Sequence, residues 1–128
     1  METEKKLPRL TRSDGKLKAP FKRRWVAALR SGKFIQGHDS LAGPAWDENL
    51  NAIDTRYCCL GVAAKLCDVL VMVYGYGQVG DGVDKDCFLP PEMGLTEEIQ
   101  GKLAGLNDGV NAPPKSFRWI AAYIERYL

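Results

Sequence analysis

Tyr57-Cys58-Cys59-Leu60-Gly61-Val62-Ala63-Ala64-Lys65-Leu66-Cys67-Asp68-Val69-Leu70 is the stretch whose reading decides the fold. It holds three of the four cysteines and only one basic and one acidic side chain. Such a run is either the buried spine of a small domain or a thiol site. Cys59, Val62, Ala63, Leu66 and Leu70 recur at helical spacing, and Cys58, Leu60 and Val69 widen that stripe until little of the surface is polar. A helix apolar nearly all round belongs inside a domain. The spacing predicts a central helix from Arg56 to about Leu70, N-capped by Asp54 or Thr55. Gly61 within it costs about 1 kcal/mol against alanine, which a close helix–helix crossing would offset.

Thiol chemistry fits the same residues poorly. Structural zinc uses cysteine pairs with two to four residues between them, a step of three to five. Here Cys58, Cys59, Cys67 and Cys87 follow one another at steps of 1, 8 and 20, so no metal site is expected. His38 is the single histidine and no third group is placed to orient it, so no catalytic residue is assigned. Free cysteine packs as a small apolar residue, and the spine is the better reading.

Outward from the spine, helical signals dominate. Pro20 suits the first turn of a helix over Phe21–Ser31 that Gly32 stops. Phe21, Trp25, Ala28 and Leu29 form its apolar stripe, with Trp25 as a core anchor. Thr96 caps a helix with Glu97 and Glu98 in its first turn, ended by Asn107-Asp108-Gly109. Ser116 caps the last helix, where Phe117, Ile120, Ala121, Ile124 and Leu128 fall on one face. Trp119, Tyr123 and Tyr127 make a second stripe, read as extra core or a subunit contact that permits a homodimer.

Between helices the chain is irregular. Residues 37–54 read as a long loop carrying Trp46 among polar neighbours. Val69–Tyr74 is rich in β-branched residues and Gly75-Tyr76-Gly77-Gln78-Val79-Gly80 follows it, so a strand at Val71–Tyr74 and a hairpin are expected, with Cys87–Leu89 as the other strand. The glycine spacing matches a dinucleotide fingerprint only formally, because no helix start follows it. Pro90-Pro91 should begin a short helical turn. The fold class is mainly α, within α+β: about four helices bundled around the Cys-rich helix, with a small hairpin or Gly-rich insertion.

The net charge of +2 hides a split. Residues 1–33 carry eleven Lys/Arg and three acids, the remainder seven and thirteen, so a segment of +8 precedes a body of −6. Residues 1–19 read as a flexible basic arm and 20–128 as one globular domain. Residues 5–24 offer a nucleic-acid contact by charge alone. No apolar run approaches the roughly 20 residues of a membrane span, and the first residues lack the apolar core of a secretory signal. A cytoplasmic location with reduced thiols is expected, and no cofactor.

Five blocks carry a resemblance. They are Arg24–Gly37 (Arg-Trp-Val-Ala-Ala-Leu-Arg-Ser-Gly-Lys-Phe-Ile-Gln-Gly), Tyr57-Cys58-Cys59-Leu60-Gly61-Val62, Phe88-Leu89-Pro90-Pro91, Leu106-Asn107-Asp108, and Ser116-Phe117 with Ile120-Ala121 and Ile124-Glu125. In this order, over residues 23–127, the chain resembles a family of small uncharacterised proteins of tailed phages and prophages. Residues 1–19 and the Gly-rich Leu70–Asp86 stretch depart from that pattern. The resemblance implies an accessory phage protein acting in the host cytoplasm; small size, the lack of a catalytic constellation, the basic arm and the aromatic-bearing loop then make a non-enzymatic binder of a host protein, inhibiting a defence or nucleic-acid-processing factor, the expected function. The expected contact residues are Lys16, Lys18, Lys22, Arg23, Trp46, Tyr74, Tyr76, Asp81 and Asp84. The alternative is a protein that sequesters a nucleotide-like signal with Arg24, Arg30, Gly75 and Gly77.

Overall fold

The computed structural model describes residues 7–79 and 88–128. They form four helices and two β-hairpins, an α+β fold. Helix α1 is Ala19–Arg30, with Pro20 in its first turn. Strands β1 (Ala42–Trp46) and β2 (Ala52–Tyr57) pair antiparallel, with a register irregularity at Ala45/Trp46. Helix α2 is Cys59–Leu66, followed by the hairpin of β3 (Val71–Val73) and β4 (Tyr76–Gln78). A 3-10 turn at Pro91–Met93 leads to α3 (Glu97–Asp108) and α4 (Phe117–Tyr127).

The apolar spine is shorter than its periodicity predicts. Tyr57 belongs to β2: its amide donates to the Ile35 carbonyl, its carbonyl accepts from Gly37, and it pairs with Ala42. Those bonds hold the chain extended up to Cys58, so the helix starts at Cys59 and neither Asp54 nor Thr55 caps it. The cap is Cys58, whose Sγ accepts from the Gly61 amide. Residues 59–64 are all buried. The helix stops at Leu66 because Asp68 takes a left-handed backbone at φ 56°. The closest approach at Gly61 is to Leu41, at the entry to β1. A Cβ there would collide with the backbone of Leu41, so the glycine lets the chain entering β1 press against α2.

Residues 37–54 contain a hairpin in place of the expected loop. Its tip is closed by the Asp47 carboxylate, which accepts from the amides of Asn49 and Asn51, both at 2.9 Å. Val71–Val73 finds its partner in β4, through a turn at Tyr74 (φ 52°) and Gly75 (φ 87°). That is the type I′ geometry that matches strand twist. Of the strand expected at Cys87–Leu89, Cys87 lies outside the described residues, and Phe88 and Leu89 form no strand.

The basic arm differs more sharply from its expectation. Leu10, Thr11 and Leu17 are buried. Thr11 and Leu17 bridge, the Leu10 amide donates to Met93, and the Leu17 amide donates to Leu128. Residues 7–18 are therefore packed structure, and the globular unit begins before residue 20. Two apolar side chains suffice, because both reach the same core as Trp25, Met93 and Ile124.

Helices α1, α3 and α4 follow their expected signals. Thr96 and Ser116 accept from the amides of Ile99 and Trp119, and Phe117, Ile120, Ala121 and Ile124 face the core. Trp25 is fully buried and its Nε1 donates to the Cys59 carbonyl at 3.0 Å.

Candidate functional site

Two buried amides knit the elements around the site. Asn107, fully buried on α3, uses its whole side chain. Its Oδ1 accepts from the Cys59 amide (3.2 Å) and from Gln36 Nε2 (3.0 Å). Its Nδ2 donates to the Gly37 carbonyl (2.8 Å) and to Asp108 Oδ1 (2.9 Å). Gln36 donates onward to the Lys115 carbonyl and accepts from the Phe117 amide, so the segment before β1 is tied to α2, α3 and α4. Gln100 does the same for the extended segment, exchanging bonds with both backbone groups of Leu89 and donating to Leu95. Neither amide stands out in the sequence, since an asparagine near a helix end reads as a terminator.

On this anchored loop lies a cleft of about 520 Å³. Its walls include His38, Asp39 and Ser40 from the loop, Trp46 from β1, Arg56 from β2 and Tyr76 from β4. The two hairpins meet at its base. Gly77 leaves room there for Ala42 and Leu70, which a Cβ would displace. His38 Nδ1 lies 2.9 Å from the Asn107 carbonyl oxygen. A carbonyl only accepts, so Nδ1 carries the hydrogen. Arg56 Nε donates to Asp54 at 3.1 Å.

The expected contact residues divide between surfaces. Trp46 and Tyr76 line the cleft, 55% and 48% exposed. Tyr74 stands at the neighbouring hairpin turn, 99% exposed. Lys22 and Arg23 line a separate groove on α1 with Arg30 and Glu125. Lys18 is exposed just before α1, and Lys16 reaches the Tyr127 carbonyl. Asp81 and Asp84 lie outside the described residues. The residues expected to frame a nucleotide do not converge. Arg24 donates to the Leu66 carbonyl, Arg30 pairs with Glu125 at 3.2 Å, Gly75 is a hairpin turn and Gly77 is buried at the hairpin junction.

The thiols of Cys58, Cys59 and Cys67 pack in or against the core. Cys59 Sγ contacts the Leu103 carbonyl, and burial pushes its thiol well above the ordinary range. Partial burial also raises Cys67. Among the described residues no cluster of three or more His, Cys, Asp or Glu could hold a metal, and no helix is long and apolar enough to cross a membrane.

Compared with protein-family models, curated proteins and solved structures, the chain matches none.

Proposed function

We propose that this protein is a non-enzymatic binding module that docks on a partner protein through the face formed by its two hairpins. The carrying observation is where exposed apolar side chains collect. Of twelve large exposed hydrophobics among the described residues, eight lie on the hairpins: Trp46, Leu50, Ile53, Val71, Met72, Val73, Tyr74 and Tyr76. Folded monomers rarely leave contiguous apolar surface uncovered, and aromatics with methionine are the residues interfaces favour. The resemblance to small accessory proteins of tailed phages makes the partner a host protein, and inhibition of a defence or nucleic-acid-processing factor the expected consequence.

The nucleic-acid reading through residues 5–24 has weaker support. Arg12 pairs with Asp14, and Lys16 and Arg24 donate to backbone carbonyls. Arg9 also donates to a backbone carbonyl, so among the described residues Lys18, Lys22 and Arg23 are the cations left to it, Lys5 and Lys6 lying outside them.

Capture from host lysate tests the docking face, followed by titration of the purified captured protein. Tyr74→Asp and Met72→Asp should each weaken binding tenfold or more with an unchanged thermal midpoint. Trp119→Ala, on α4, should bind as the parent does. Equal retention by the hairpin variants, or a stable self-associated form that occupies this face, would overturn the proposal.

A further inference from the structure

The cleft at the base of the hairpins has a chemistry that protein docking does not require. Its volume, about 520 Å³, lies within the roughly 300–1,000 Å³ of small-molecule sites. Its walls combine two aromatic rings, Trp46 and Tyr76, with a guanidinium, an imidazole, a hydroxyl and a carboxylate.

Several of those groups have bonding capacity left over. Arg56 spends Nε on Asp54, and its two terminal nitrogens have no acceptor among the described residues. The hydroxyl of Ser40, the indole N–H of Trp46 and Nε2 of His38 have no protein partner there either. The His38 ring is nonetheless fixed, because Nδ1 is tied to the carbonyl of Asn107, whose own side chain makes four hydrogen bonds. A held imidazole beside an unspent guanidinium fork is a receptor for an acidic group, which arginine takes in bidentate fashion.

The remaining groups narrow the ligand. Asp39 places a carboxylate on the same wall, so a bare polyanion is disfavoured, whereas hydroxyl or amino donors are welcome. Two exposed rings offer faces on which a planar base can stack. One acidic group, a planar ring and hydroxyl donors together describe a nucleotide. We propose that this cleft binds a nucleoside monophosphate, with the phosphate on Arg56 and His38, the base against Trp46 or Tyr76, and sugar hydroxyls toward Asp39. The site differs from the one the sequence suggests, since Arg24, Arg30, Gly75 and Gly77 take no part.

The test is titration of the full chain with the 5′-monophosphates of adenosine, guanosine, cytidine and uridine, with unphosphorylated nucleosides and with inorganic phosphate. Indole fluorescence and the His38 ring resonances report binding. At least one monophosphate should saturate the protein at micromolar to low millimolar concentration and shift the His38 signals. Its nucleoside and phosphate alone should each bind at least tenfold more weakly. Arg56→Gln and Trp46→Ala should each weaken binding tenfold or more, and Arg56→Lys, which keeps the charge and loses the fork, should lie between. Tyr74→Asp should bind the nucleotide like the parent, which separates this site from the protein-docking face. No saturable binding by any monophosphate, equal binding of inorganic phosphate, or indifference to both Arg56→Gln and Trp46→Ala would overturn the proposal. Should Arg56→Gln fail to fold, Trp46→Ala on the exposed strand end decides alone, and parent-like binding by that variant overturns the proposal.

Discussion

Asn107 shows how much one buried side chain can decide. Its Nδ2 faces only acceptors, the Gly37 carbonyl and Asp108. Asn107→Asp keeps the shape and replaces both donors with an oxygen aimed at those acceptors. A buried group that loses its partners costs about 1–3 kcal/mol, and more when charged. The expected loss is about 3 kcal/mol or more at neutral pH, partly recovered in acid, where the protonated carboxyl donates once. Urea denaturation at two pH values measures it, and an unchanged midpoint at neutral pH would refute the account. Such a residue is hard to foresee from sequence. Periodicity finds apolar faces, but the partners of Asn107 are scattered from Gln36 to Asp108 and meet only in the folded chain. Cys58 escapes notice for a related reason: a thiol is a weak acceptor, so nothing in its type announces a helix cap.

At the scale of elements, the helices are legible in the sequence and the hairpins largely are not. Thr96, Ser116 and Pro20 mark helix starts by local chemistry, and the apolar stripe of α4 has one period over its whole length. The β1–β2 hairpin lacks the alternation that signals a strand, since no residue of β2 is fully buried and Pro44 stands within β1. It is held by cross-strand backbone bonds and by Asp47. The amide of Asn51 is the chief cause that lowers the Asp47 carboxyl below its ordinary range, with Asn49 and the Asn51 side chain adding to it. A depressed folded-state value means that this support is complete above the unfolded carboxyl's pKa, about 4, and is lost as pH falls through the folded value. Acid titration should therefore loosen the tip first, seen as movement of the Asn49 and Asn51 amide resonances and of the Trp46 near-ultraviolet signal. Asp47→Ala should remove that acid step; an identical step in the variant would count against the assignment.

For the whole molecule, the charge split misleads. Eight excess positive charges in residues 1–33 suggest a solvated arm, yet Leu10 and Leu17 carry the chain into the core. Burying a leucine contributes about 1.5–3 kcal/mol. Removal of residues 1–18 also takes away the bond from Thr11 Oγ1 to the Gly94 carbonyl. The truncated chain should lose several kcal/mol by the same scale, enough to lower the thermal midpoint by about ten degrees or more. Charge-neutralising changes at Arg12, Lys16 and Lys18 should leave the midpoint nearly unmoved. Calorimetry on the two proteins separates a packed segment from an electrostatic one, and a truncated chain as stable as the parent would restore the arm.

The pairing of Thr11 with Gly94, 83 residues further on, together with the bond from Leu17 to Leu128, also sets an order of events. Contacts between distant parts of a chain form late, because the intervening loop must close first. During synthesis, at roughly 5–20 residues per second, Leu10 is made well before Met93 and Leu17 before Leu128, so each waits for its partner. For those seconds the newborn protein shows its neighbours an apolar surface that the finished one hides.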